Sequence, residues 1–134
     1  MAKSAGYATL KRKLDKVFSE YVRRRYAGGG GLVSCVSCGV IKHWKEQQAG
    51  HFVSRVRLAT RWDIENVNPQ CGKCNVLLRG NAVGHARWLE NRYGPDIFAR
   101  LDERSRRTVK FDRGQLMTMI ETYKGLIACL PPSQ

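Results

Sequence analysis

Five groups of residues in this chain have the types and spacing to do chemistry. Cys35 and Cys38 form one CxxC pair, Cys71 and Cys74 a second, and His51 lies between them in an Ala49-Gly50-His51 run. A two-residue spacer lets both sulfurs of a pair face one metal, so two pairs can close a tetrahedral thiolate site for a single structural zinc. Four thiolates leave no open coordination position, and such a zinc would hold the fold without touching a substrate. His51 sits in the loop pinned at both ends by that metal, where a neutral imidazole could take a proton from water near neutral pH. Asn66 precedes the second pair, and Asn75 directly follows Cys74.

These residues lie in one chain of 134 residues, a length that fits one domain, with 24 Lys and Arg against 11 Asp and Glu and a net charge of +13. Cations in this excess point to a polyanionic partner, because each basic group near a phosphate releases condensed counterions. No long apolar run and no charged-then-apolar leader is present, so the expectation is a soluble, cytoplasmic protein with no membrane partner. In a reducing compartment CxxC pairs read as metal ligands and not as disulfides. The fifth cysteine, Cys129, is surrounded by apolar residues and is expected in the core.

The elements that must position the site follow from periodicity. Leu10, Leu14, Val17, Phe18, Tyr21 and Val22 repeat at helical spacing, with Lys11, Arg12, Lys13, Lys16 and Arg23 between them and Arg24 and Arg25 extending the basic run. Eight basic residues against two acidic ones in the first 31 make DNA-backbone contact by this helix, through Lys11, Arg12 and Arg24, at least as apt as a solvated face. Gly28-Gly29-Gly30-Gly31 ends the helix and reads as a flexible hinge. Residues 32–43 read as a strand pair carrying the first cysteine pair, and Phe52 and Val53 as a short strand after His51. Asn81 is placed to cap a helix carrying Val83, Ala86, Leu89 and Tyr93 and stopped by Gly94-Pro95. Ile97, Phe98 and Leu101 mark a short helix. Asp112 with Gln115 forms a capping-box pattern ahead of an apolar stripe from Leu116 to Leu130. The faces Leu10–Val22 and Leu116–Leu130 are the candidate surfaces of a homodimer. Three parts result: a basic N-terminal helix and glycine hinge (1–31), a zinc-bound core (32–94) and C-terminal helices (95–134).

The order His, then Asn, then CxxC followed by Asn resembles the ββα-metal, or HNH/His-Me finger, nuclease layout. The runs from Gln48 to Arg55, Arg61-Trp62-Asp63 through Asn66, Cys71-Gly72-Lys73-Cys74-Asn75 and Gly80-Asn81 resemble more closely the NinG/Rap family of lambdoid-phage recombination proteins. That resemblance spans about residues 10–105. It implies an α+β fold with a small zinc-stapled ββα core and flanking N- and C-terminal helices. It also implies a phage- or prophage-encoded, structure-specific endonuclease acting on branched DNA such as Holliday junctions and flaps. In that class the histidine activates water, the middle asparagine orients the loop, and the last Asn or His binds a divalent metal. These roles fall on His51, Asn66 and Asn75, with Mg²⁺ or Mn²⁺ as the catalytic metal. Arg55, Arg57 and Arg61 cluster near His51 and are candidate phosphate contacts. One departure stands out: Gly50 occupies the position where many relatives of the wider nuclease class carry an aspartate. A second metal ligand would then come from a backbone oxygen, a substrate phosphate, His43, Asp63, Glu65 or His85. His85 and His43 read more simply as a satisfied structural histidine and a turn residue. The alternative is a non-catalytic zinc-ribbon DNA-binding protein; a zinc-stabilised adaptor for other proteins would leave the charge unexplained.

Overall fold

The two apolar stripes at the ends of the chain pack against each other. The computed structural model describes residues 5–132. Its first helix, α1 (Tyr7–Arg24), buries Leu10, Leu14, Phe18 and Val22, a residue every four positions and therefore one face. The last helix, α5 (Arg113–Ala128), starts at the expected capping box, where Asp112 and Gln115 each bond the other's backbone N–H. It buries Leu116 and Ile120 in the same cluster as the α1 stripe, together with Trp62 and Val67. Tyr123 meets Phe18 edge-on, with ring centroids 4.9 Å apart. Of the two faces expected to be dimer surfaces, the α1 stripe and the first half of the α5 stripe are thus consumed inside one chain, since each is the apolar complement of the other.

Between these helices lie two antiparallel hairpins. Strands β1 (Leu32–Ser34) and β2 (Ile41–His43) pair with Val33 opposite Lys42. Strands β3 (Gln47–His51) and β4 (Val67–Cys71) pair from Gln47 opposite Cys71 to His51 opposite Val67. The glycine run read as a hinge forms a 3-10 turn at Gly29–Gly31, and Gly31 is buried with no room for a Cβ beside the His43 ring. Strand β3 stops at His51 and does not continue through Phe52 and Val53. The Asn66 carboxamide takes up both polar groups of Val53, accepting from its N–H at 2.7 Å and donating to its carbonyl at 3.0 Å, which leaves no ladder to extend.

The long β3–β4 connection holds a one-turn helix, α2 (Leu58–Arg61). After β4 a π-helical turn, Lys73–Leu77, leads into α3 (Ala82–Tyr93) and α4 (Ile97–Ser105). Leu89, Ile97 and Leu101 form a second apolar cluster with Phe52, Val53 and Trp88. Asn81 caps α3 as expected, and Gly94 ends it. Gly84 lets α3 approach the first cysteine pair, because a Cβ there would overlap the Ser37 backbone. Cys129, expected in the core, is exposed at the end of α5. It lies two residues beyond Ile127, about 200° round the helix from the stripe. No helix among the described residues is long and apolar enough to cross a membrane.

Candidate functional site

The four cysteines converge from three places: the β1–β2 turn, the end of β4 and the π-helical turn. Their sulfurs all lie within 4.8 Å of one another, and those of Cys38 and Cys71 are 3.8 Å apart. Zinc–sulfur bonds of about 2.3 Å in a tetrahedron require sulfur–sulfur edges of about 3.8 Å, so the cluster fits one zinc ion. Two further donors suit thiolate acceptors: Cys74 N–H points to the Cys71 sulfur and Asn81 Nδ2 to the Cys74 sulfur, each at 3.4 Å. Cys35, Cys71 and Cys74 are buried, while Cys38 faces solvent.

Next to this cluster is an open cleft of about 480 Å³. His51, at the end of β3, and Asn75, on the π-helical turn, both line it. Gln48, Arg55 and Arg79 line it too, together with Asp15 from α1. His51 Nε2 lies 2.9 Å from the Arg61 carbonyl oxygen. A carbonyl only accepts, so Nε2 carries the hydrogen and Nδ1 keeps its lone pair in the neutral ring. Burial pushes the His51 imidazole below its ordinary value of 6.5 and outweighs the hydrogen bond to Arg61, and the Arg55 charge adds to the fall. The ring is therefore neutral at physiological pH. Asn75 Nδ2 donates to Gln48 Oε1 at 2.8 Å, which orients the amide and leaves Asn75 Oδ1 as an oxygen acceptor.

Asn66 is fully buried beneath the loop that follows His51. Besides its two bonds to Val53 it donates to the Thr60 carbonyl at 3.0 Å, tying both ends of that loop to the start of β4. Asp15 was not legible as a site residue, because it is one of two acids on a basic helix. It accepts from Arg61 Nε at 3.0 Å and Trp62 Nε1 at 2.9 Å, and it pairs with the terminal nitrogens of Arg61 and Arg55. Burial alone would raise its carboxyl, but the bonds from Arg61 and Trp62 and the charges of Arg61 and Arg55 hold it below the ordinary 3.8. Asp15 thus anchors the Arg61–Trp62 peptide whose carbonyl orients His51.

The other expected residues are distributed differently. Arg57 is exposed on the loop. Arg61 is mostly covered and committed to Asp15, whereas Arg55 keeps over half of its side chain in solvent. Lys11 stacks over Tyr7, Arg12 bonds Thr9, and Arg24 pairs with Glu20 and lies over Trp44, so these three sit along α1 and not in the cleft. Among the possible second metal ligands, Asp63 and Glu65 pair with Arg104, and His43 accepts from the Lys45 N–H at a turn. His85 is buried against Asn68 at 3.1 Å and edge-on to Phe52, and burial draws its ring down to about 4. None of these four lines the cleft; among the described residues its one carboxylate is Asp15. Gly50 is explained by packing, since a Cβ there would occupy the space of the Gln70 side chain.

The model of a protein family described as bacteriophage Lambda NinG protein matches residues 2–131. The match covers nearly the whole chain, so this protein belongs to the NinG family of phage proteins. No curated protein and no solved structure matches the chain significantly.

Proposed function

We propose that this NinG-family protein is a metal-dependent endonuclease of the HNH/His-Me finger class, hydrolysing phosphodiester bonds in branched DNA during phage recombination. The observation that carries this reading is the convergence of His51 and Asn75 on one basic cleft. His51 Nδ1, free of the bond that holds Nε2, takes the proton from an attacking water. Asn66 fixes the loop from which the Arg61 carbonyl sets the ring's orientation. Asn75 offers an uncommitted amide oxygen, which suits a hard divalent cation that completes its shell with waters and phosphate oxygens. Bound there, Mg²⁺ or Mn²⁺ would stabilise charge on the scissile phosphate and its leaving oxygen. Arg55 and Arg79 at the cleft are suited to flanking phosphates.

The preference for branched DNA rests on charge and on contact through phosphates, which selects geometry and not sequence. Two copies related by a twofold axis would place two such clefts on opposing strands of a junction. Since α1 and the first half of the α5 stripe are buried against each other, Leu126, Ile127 and Leu130 are what those two faces leave for a homodimer. One observation favours the alternative of a non-catalytic zinc-ribbon DNA-binding protein: Gly50 carries no acid, and the cleft carboxylate of Asp15 is already engaged by Arg61, Arg55 and Trp62. Purified protein incubated with a four-way junction and with linear duplex, with Mg²⁺ or Mn²⁺ added or withheld, separates the two. Metal-dependent cutting with preference for the junction supports the nuclease; binding without cutting under any metal supports the alternative.

A further inference from the structure

The turn that carries Asn75 ends in an unusual surface. Val76, Leu77 and Leu78 follow one another and expose 61%, 76% and 49% of their surface, and Val83 at the start of α3 exposes 72%. A single exposed aliphatic is unremarkable, but three in succession beside a cleft are not, because a polar tip would serve solubility better. The base of this tip is held firmly. Gly80 N–H donates to the Cys74 carbonyl at 2.8 Å, Gln70 Nε2 donates to the Gly80 carbonyl at 2.6 Å, and Asn81 reaches the Cys74 sulfur. Arg79, Gly80 and Asn81 all have positive φ, of 49°, 94° and 37°, a conformation that non-glycine residues adopt at a cost and that these anchors maintain. The apolar tip therefore projects rigidly from the cysteine cluster, immediately between Asn75 and Arg79, both of which line the cleft.

We propose that Leu77, flanked by Val76 and Leu78, is a wedge that inserts between base steps of DNA bound at the cleft and holds the branch point open. The proposal rests on the DNA-directed reading above and extends it to how a branch is recognised. Charge complementarity commits the surface to nucleic acid: residues 66–89, which include the tip, contain Lys73, Arg79 and Arg87 and no Asp or Glu. Lys73 and Arg79, which bracket the apolar tip in the chain, match a duplex, whose phosphates flank a stack of apolar base faces. Aliphatic side chains inserted in this way unstack a step and bend the duplex, and a branch point, already partly unstacked, resists least. A DNA phosphate seated at His51 and Asn75 would bring its neighbouring bases to Leu77, because no residue but Val76 separates Asn75 from Leu77.

The test uses the zinc-loaded 134-residue protein without added Mg²⁺ or Mn²⁺, and a four-way junction carrying 2-aminopurine at the branch point. Wild-type protein should raise the fluorescence at least ~2-fold as the base unstacks. Leu77→Ser should abolish the rise and cut the preference for junction over linear duplex by about 10-fold. Its affinity for linear duplex should stay within ~2-fold, since phosphate contacts are untouched. Leu77→Phe should restore the signal. A rise that persists in Leu77→Ser overturns the wedge. So does sedimentation equilibrium in which wild type is a dimer and Val76→Ser/Leu77→Ser is a monomer, which would make the tip a self-association surface. Absence of binding to any DNA would sink the DNA-directed reading itself, whereas binding without unstacking sinks only the wedge.

Discussion

Replacing Gly50 by alanine adds one methyl group and should cost far more than a methyl usually does. Gly50 lies in β3 opposite Asn68, and its missing Cβ position is filled by the Gln70 side chain. The backbone there is not left-handed, so the penalty is steric and not conformational. Gln70 is fully buried, and its Nε2 donates to Ser37 Oγ at 2.7 Å and to the Gly80 carbonyl at 2.6 Å. Moving it aside breaks both bonds and strands a buried amide. At about 1 kcal/mol for each of the two net bonds, and about 1 kcal/mol for a stranded amide whose Oε1 already lacks a partner, Gly50→Ala should destabilise the fold by roughly 3 kcal/mol. For a chain of this size that lowers Tm by roughly 10 °C. Urea unfolding with zinc present, followed by tryptophan fluorescence, measures it. In a Gln70→Ala background, where the space is empty, the same substitution should cost under ~0.5 kcal/mol. A loss below ~0.5 kcal/mol in the wild-type background, or an undiminished loss beside Gln70→Ala, would refute this account of Gly50. For the same steric reason, Gly50→Asp should damage the hairpin.

Removing zinc, or replacing Cys71 by Ser, should unfold or aggregate the chain, because structural zinc contributes on the order of 10–16 kcal/mol to small domains at neutral pH; circular dichroism before and after chelation checks this. Asp15→Asn should lower stability by about 1–3 kcal/mol in urea and shift the His51 titration seen by NMR, since it loosens the Arg61 carbonyl that orients the ring. His85 is depressed to about 4 from 6.5. The unfolded chain therefore takes up its proton first as pH falls, and the His85 contribution is fully present above 6.5 and lost between 6.5 and 4. The loss amounts to at most about 3 kcal/mol, visible as a falling urea midpoint from pH 7 to pH 4.5 that flattens in His85→Gln.

Local signals carried much of the architecture. The four-residue spacing of Leu10, Leu14, Phe18 and Val22 gave α1, and the capping residues Asn81 and Asp112 gave the starts of α3 and α5. The cysteine spacing gave the sulfur cluster, because that geometry is nearly a property of the motif. What stayed hidden depends on contacts between distant segments. Asp15 reads as one of two acids on a basic helix until Arg55, Arg61 and Trp62 are folded onto it. Gln70 and Gly50 have no sequence signature, yet their fit explains why a glycine stands at position 50. The stripes of α1 and α5 were legible as apolar faces, but an amphipathic face does not reveal whether its partner lies in the same chain or another.

Metal-dependent DNA hydrolysis in the cleft of His51 and Asn75 is decided by single-turnover cleavage of a four-way junction by zinc-loaded wild type, His51→Ala and Asn75→Ala, each titrated with Mg²⁺ and Mn²⁺. His51→Ala should lose at least roughly 10²-fold in rate with junction affinity unchanged, and Asn75→Ala should lose activity that raised Mn²⁺ partly restores. Cleavage by His51→Ala at the wild-type rate, or no cleavage by wild type with either metal, would contradict it.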